Sequence, residues 1–136
     1  SVAYLGFLLR QRASQCNRCE MAFMGTRLYE IVNEHYGLIL YDELHNGKVN
    51  PACIPVLFIP GNGGSAKQLR SLASQSQSQP DGLCLSWYGV RLNEELTALN
   101  IQLVYAQAAH VGRMARLLRE RHSQAPELWL VGHSMG

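Results

Sequence analysis

Leu128-Trp129-Leu130-Val131-Gly132-His133-Ser134-Met135-Gly136 is the stretch that decides how the rest of the sequence is read. Leu128 to Val131 is an apolar run without alternation, the pattern of a strand buried on both faces of a sheet. Gly132 to Gly136 follows at once and fits G-x-S-x-G. A nucleophile on a tight strand-to-helix turn adopts strained backbone angles, so the residues two places either side must be small. Such a turn lifts the serine Oγ clear of the sheet, and the start of a following helix favours developing negative charge. Ser134 is the candidate catalytic nucleophile. An ordinary glycine turn is the alternative reading of the pentapeptide alone.

A second run of the same kind lies upstream. Val56-Leu57-Phe58-Ile59 is short, apolar and bounded by Pro55 and Pro60, and Gly61-Asn62-Gly63-Gly64 breaks it. Acyl transfer needs backbone N–H donors aimed at the tetrahedral oxyanion. In a sheet of this kind one donor follows the nucleophile and the other comes from a loop after an earlier strand. The Met135 N–H is the expected first donor and the Asn62 N–H the second, with Gly63 as its neighbouring alternative. Gly61, Gly63 and Asn93 are the candidate substrate-binding residues. A phosphate loop is disfavoured, because the Lys of G-x-x-x-x-G-K-[ST] is missing here.

Between these anchors strands alternate with helices. Tyr36 to Tyr41 (YGLILY) is dense in β-formers and precedes the turn signal Asn46-Gly47. Ser65 is a plausible N-cap for a helix to about Gln75, with Leu69, Leu72 and Ala73 on one stripe. Ser74 to Asp81 (SQSQSQPD) reads as an exposed loop, and Leu83 to Tyr88 as a strand. Glu94 to His122 carries the strongest helix pattern, with Ile101, Val104, Ala108, Val111, Ala115 and Leu118 marking its inner face. Arg113, Arg116, Arg119 and Arg121 form the wet side. The expected fold class is α/β: the N-terminal part of an α/β-hydrolase fold, a parallel sheet with flanking helices truncated at the nucleophile elbow. Residues 19–136 form that partial domain, and residues 1–18 a stub with a polar linker.

Composition narrows the function. With 136 residues there is room for one small domain. A hydrophobic content of 47% supports a buried core, while 16% charged residues is well below the roughly 25% usual for soluble domains. The shortfall points to shared interfaces, membrane proximity or missing partners. The net charge of +2 is thinly spread, with no basic stripe interleaved with aromatics, so no nucleic-acid partner is expected. Ser1 to Leu9 (SVAYLGFLL) is apolar but too short to cross a bilayer, which takes about 20 residues. It reads either as the end of a longer membrane segment or as a short element of a soluble protein. The start at Ser1 and the stop at Gly136 inside a motif are both read as cuts.

Four cysteines, Cys16, Cys19, Cys53 and Cys84, leave their pairing open. Cys16-x-x-Cys19 is structural, a redox pair or half of a metal site; no second C-x-x-C accompanies it, so no metal centre and no cofactor is expected. A serine nucleophile needs a histidine base and an orienting carboxylate, which follow the serine in this chain order. Both are expected beyond Gly136. His133 is adjacent to Ser134 and faces elsewhere, and His35, His45, His110 and His122 are expected at the surface or in packing.

Several segments together resemble one family, the GPI inositol-deacylases of the endoplasmic reticulum. They are Cys19 to Met24 (CEMAFM), Tyr36 to Tyr41, Pro55 to Ser74 (PVLFIPGNGGSAKQLRSLAS), Asn93-Glu94-Glu95-Leu96 and Val131 to Gly136. PGNGGSAKQLRSLAS is far more specific than the serine pentapeptide. The resemblance implies a membrane enzyme whose hydrolase domain faces the lumen. It implies hydrolysis of the ester joining a fatty acyl chain to the inositol of GPI anchors, as part of GPI-anchored protein maturation and transport. GPI-anchored protein precursors are then the partners, and Ser1 to Leu9 becomes the end of an N-terminal membrane span. An oxidising lumen suits structural cysteines. Cys16 has no counterpart in the pattern. The family's base, acid and membrane-spanning C-terminal region are absent, so the piece alone is expected to be inactive. A general lipase or acyltransferase, or a non-catalytic lipid- or protein-binding relative, is the competing reading.

Overall fold

A computed structural model describes residues 28–42, 47–77 and 83–136. The apolar stub, Cys16, Cys19, His45 and Asn46 lie outside the described residues. The elements run β1 (Leu28–Asn33), β2 (Gly37–Tyr41), β3 (Ile54–Ile59), a 3-10 turn (Ala66–Leu69), α1 (Arg70–Gln77), β4 (Leu85–Arg91), α2 (Ile101–Arg121) and β5 (Trp129–Gly132).

The five strands form one sheet in the order β1-β2-β4-β3-β5. β3 pairs in parallel with β4 on one side and with β5 on the other. β2 runs antiparallel to both β1 and β4. The expected parallel sheet is therefore corrected to a mixed one. An antiparallel pair needs only a short connection, and Glu34 to Tyr36 supplies it between β1 and β2. β1 itself has no signal of its own in sequence: its exposure pattern is irregular, and its register shifts between Glu30 and Val32.

Side chains alternate across a strand, so an apolar run gives each face its own core. Leu57 and Tyr88 point to one face, where they meet Leu38, Leu40, Val90, Met114 and Leu118 under α2. Val56, Phe58 and Trp87 point to the other, against Leu69 and Ala73. Leu57, Val56, Leu69 and Leu118 are wholly buried, each contributing about 1.5–3 kcal/mol relative to exposure. A disulfide joins Cys53 to Cys84 and so ties the starts of β3 and β4.

Both helices depart from their expected bounds for local reasons. α1 extends to Gln77, into the polar stretch expected to be a loop. Ser76 Oγ donates to the Ala73 carbonyl and accepts from Trp87 Nε1 at 2.7 Å, so this serine is a packing partner. α2 starts at Ile101, not Glu94, because Asn93 and Glu94 have φ of 57° and 55°. Asn100 caps it, its Oδ1 accepting from the N–H groups of Gln102 and Leu103. The inner face is also rotated from the expected stripe. His110, Met114 and Leu118 are buried, while Ile101 is 63% exposed. Arg113, Arg116, Arg119 and Arg121 do lie in water.

Candidate active site

β5 ends on a sharp turn. The His133 N–H still donates to the Ile59 carbonyl of β3, and the Gly136 N–H closes back on the His133 carbonyl at 3.0 Å. Between them Ser134 has φ of 58°, in the left-handed region that L residues avoid. The bend leaves no room at its flanks. A Cβ on Gly132 would strike the Gly136 carbonyl, and one on Gly136 would strike the backbone at Ile59 and Pro60. The glycines of the pentapeptide are thus demanded by close approach of backbone. Ser134 is exposed, and its hydroxyl has no hydrogen-bond partner among the described residues.

The Pro60–Gly64 loop leaves the end of β3, next to β5 in the sheet. It meets the turn directly: a Cβ on Gly61 would lie 2.7 Å from Ser134 Cβ and 3.2 Å from the Met135 nitrogen. Among the described residues the N–H groups of Asn62 and Met135 donate to nothing. The Gly63 N–H donates to the Glu95 carbonyl at 3.0 Å, and the Gly64 N–H to the Gly61 carbonyl. Gly61 therefore meets Ser134 and Met135 at the carboxyl ends of two adjacent parallel strands, where sheets of this type carry chemistry, and Asn62 and Gly63 follow it in the same loop.

Residues 50–136, well over half of the chain, match the PGAP1-like alpha/beta domain. The chain belongs to this family. Curated relatives agree with the match. A Drosophila melanogaster protein named GPI inositol-deacylase is 32% identical over 140 residues, covering 88% of this chain and 14% of the relative. A Neurospora crassa protein of the same name is 30% identical, covering the whole of this chain and 14% of the relative. One from Cryptococcus neoformans is 29% identical over 87% of this chain. The PGAP1-like chain thus spans about a seventh of the length of the first two relatives.

Asn93 stands apart from the serine turn. Its Nδ2 donates to the His35 carbonyl, and it lines a cleft of about 570 Å³ with Gly64, Ser65, Lys67, Glu30 and Arg91. A smaller cleft of about 250 Å³ adjoins the turn itself, between Pro60, Gly61, Met135 and the Val104, Ala108 and Val111 side of α2. Among the described residues two histidines are buried, His110 and His122, and neither has a ring nitrogen to spare. His110 Nε2 donates to the Gly37 carbonyl, leaving Nδ1 to accept from Arg113. His122 Nδ1 donates to the Cys53 carbonyl at 2.7 Å, leaving Nε2 to accept from the Tyr88 hydroxyl at 2.9 Å. Burial holds both histidines below their ordinary pKa and pushes Tyr88 up to about 12.

In the loop between β4 and α2, sequence reasoning singled out Asn93 but not the hydrogen-bonding role of Glu95. Glu95 collects the Tyr36 hydroxyl at 2.6 Å, the Gln107 amide at 3.0 Å and His35 Nε2 at 3.4 Å. The Tyr36 hydroxyl draws its carboxyl below the usual range. The Ala98 N–H donates to Asn62 Oδ1 at 3.0 Å, so this loop grips the Pro60–Gly64 loop at two points. The signal was present in Asn93, a residue tolerant of the left-handed region.

Among the described residues no helix is long and apolar enough to cross a membrane, and no group of three His, Cys, Asp or Glu could hold a metal ion.

Proposed function

We propose that this chain supplies the nucleophile and oxyanion donors for hydrolysis of the ester joining a fatty acyl chain to the inositol of GPI anchors. The observation that carries the reading is Ser134 at φ 58°, exposed at the end of β5 and in contact with Gly61, where the N–H groups of the neighbouring Asn62 and Met135 have no partner among the described residues. Ser134 Oγ attacks the acyl carbonyl and forms the C–O bond of a tetrahedral intermediate, whose oxyanion accepts from these two N–H groups. Collapse expels the inositol oxygen, leaving an acyl-enzyme that water hydrolyses. The Oγ proton goes to a general base, which returns it to the departing inositol oxygen. His110 and His122 are committed to other partners and are not assigned as that base; the chain order of this architecture places base and carboxylate after the serine. Gly61 is assigned to the reacting ester, with Gly63 shaping the loop; Asn93 would meet polar parts of the substrate in the larger cleft.

The relatives named GPI inositol-deacylase support this substrate. GPI-anchored protein precursors are the proposed partners, and the endoplasmic reticulum membrane, with this domain lumenal, the proposed location. The Cys53–Cys84 disulfide fits an oxidising compartment. The test is Ser134→Ala in the full-length protein, measuring release of inositol-linked acyl chains. The variant should lose on the order of 10³–10⁶ in rate. Undiminished release ends the proposal.

A further inference from the structure

The oxyanion loop is held from outside by a brace. Asn93 and Glu94 are consecutive non-glycine residues with positive φ, a conformation that costs energy at each position and persists only where the surroundings dictate it. What dictates it here is the anchoring of the next residue. The Glu95 carboxylate takes Tyr36 from the start of β2 and Gln107 from α2, with His35 on its outer side. Two further bonds then run from this anchored segment into the glycine loop. The Glu95 carbonyl accepts the Gly63 N–H, and the Ala98 N–H reaches Asn62 Oδ1. These bonds fix the peptide on one side of Asn62 and its side chain. The intervening Asn62 N–H is left without a partner among the described residues, next to Gly61, which abuts Ser134.

We infer that Glu95 is a positioning residue: by pinning the Asn93–Ala98 segment to Tyr36 and Gln107, it sets the direction of the Asn62 N–H toward the reacting carbonyl. This rests on the proposed acyl hydrolysis at Ser134. Glu95 touches no reacting atom. Its effect is confined to the charge that develops in the transition state, so its loss lowers kcat and leaves KM alone. Tyr36 and Gln107 belong to the same device. Tyr36 is the sharper probe, because its ring is buried against His110 and only its hydroxyl enters the network.

The test measures kcat and KM of the full-length protein on a GPI glycolipid carrying a radiolabelled inositol-linked acyl chain. Glu95→Ala should lower kcat about 10- to 100-fold, the range for ångström-scale misplacement of a catalytic group. Tyr36→Phe, which keeps the ring, should lower it about tenfold, with KM within about twofold in both. Glu95→Gln retains an acceptor for Tyr36 and Gln107 and should recover most of the rate. Ser134→Ala, measured alongside, judges the nucleophile separately: turnover by that variant removes the hydrolase reading itself. With Ser134→Ala inactive, wild-type kcat in Glu95→Ala and Tyr36→Phe overturns the brace. So does a loss confined to KM, or a Glu95→Gln variant as slow as the alanine one. Should Glu95→Ala fail to fold, Tyr36→Phe decides.

Discussion

Gly61 lies against Ser134 so closely that a single added carbon would sit 2.7 Å from the serine Cβ and 2.6 Å from the His133 carbonyl oxygen. Ordinary carbon–carbon contacts are about 3.5–4.0 Å. The two glycine-rich bends, some seventy residues apart in the chain, are therefore one surface. Parallel pairing of β3 with β5 brings them together, and the absent side chain at 61 lets them touch.

Gly61→Ala should force these bends apart. The core on both sheet faces is untouched, so the full-length variant is expected to fold, with a lowered melting temperature because backbone must shift to admit the carbon. Its kcat on acylated inositol should drop on the order of 10²-fold through displacement of the oxyanion donors. Kinetics beside a thermal melt check this; wild-type kcat would contradict the contact.

Ser134 carries backbone strain that an alanine retains and a glycine relieves. Ser134→Gly should be more stable than Ser134→Ala by about 1 kcal/mol, the usual penalty for an L residue in the left-handed region. Both variants should be inactive. Denaturant midpoints of the two full-length variants, compared directly, decide the point, and equal midpoints would remove the strain.

How far this arrangement was legible depends on which signal each residue carries. Val56 to Ile59 reveals a buried strand because every position is apolar, and the glycines behind both apolar runs mark tight bends. Leu128 to Val131 carries the same pattern yet lies at the sheet edge, where Leu130 is 58% exposed, so its expected burial on both faces is corrected. Strand direction is another matter. Leu38-Ile39-Leu40 looks the same whether β2 runs with its neighbours or against them, so the antiparallel edge was invisible. The inner face of α2 misled for a different reason. Hydrophobic spacing favours Ala108 and Ile101, yet His110 is wholly buried because Gly37 and Arg113 satisfy both its ring nitrogens. The brace at Glu95 depends on tertiary hydrogen bonds to residues 59 positions earlier and 12 later, which no local pattern encodes.

The Cys53–Cys84 bridge closes a separation of 31 residues. Loop-closure entropy for that length gives about 3–4 kcal/mol. Cys84→Ala in the full-length protein should lose stability on that scale. Peptide mapping without reductant should recover Cys53 and Cys84 in one linked species; separate free thiols in the folded protein would contradict the bridge.

Acid should weaken the fold through its buried histidines. His110 and His122 have folded pKa values held below 6.5 by burial. Above the unfolded value neither state binds a proton at these sites and stability is complete. As pH falls through about 6.5, the unfolded chain protonates first, and stability declines toward the lower folded values. Glu95 acts in the same direction further down. Its carboxyl is drawn below 4.5 by the Tyr36 hydroxyl, so its contribution is present above that value and is lost as pH falls. Melting temperatures at steps from pH 8 to pH 5 should hold level and then drop below about 6.5; a flat profile would contradict the neutral, buried assignment of both rings.

The central claim, that Ser134 is an activated nucleophile facing an oxyanion site, is tested most directly by covalent trapping. Full-length protein treated with a fluorophosphonate and digested should yield one modified peptide, with the phosphonyl group on Ser134 and none in Ser134→Ala. A modification on another serine, or an unmodified Ser134 in protein that is releasing acyl chains, would contradict the account.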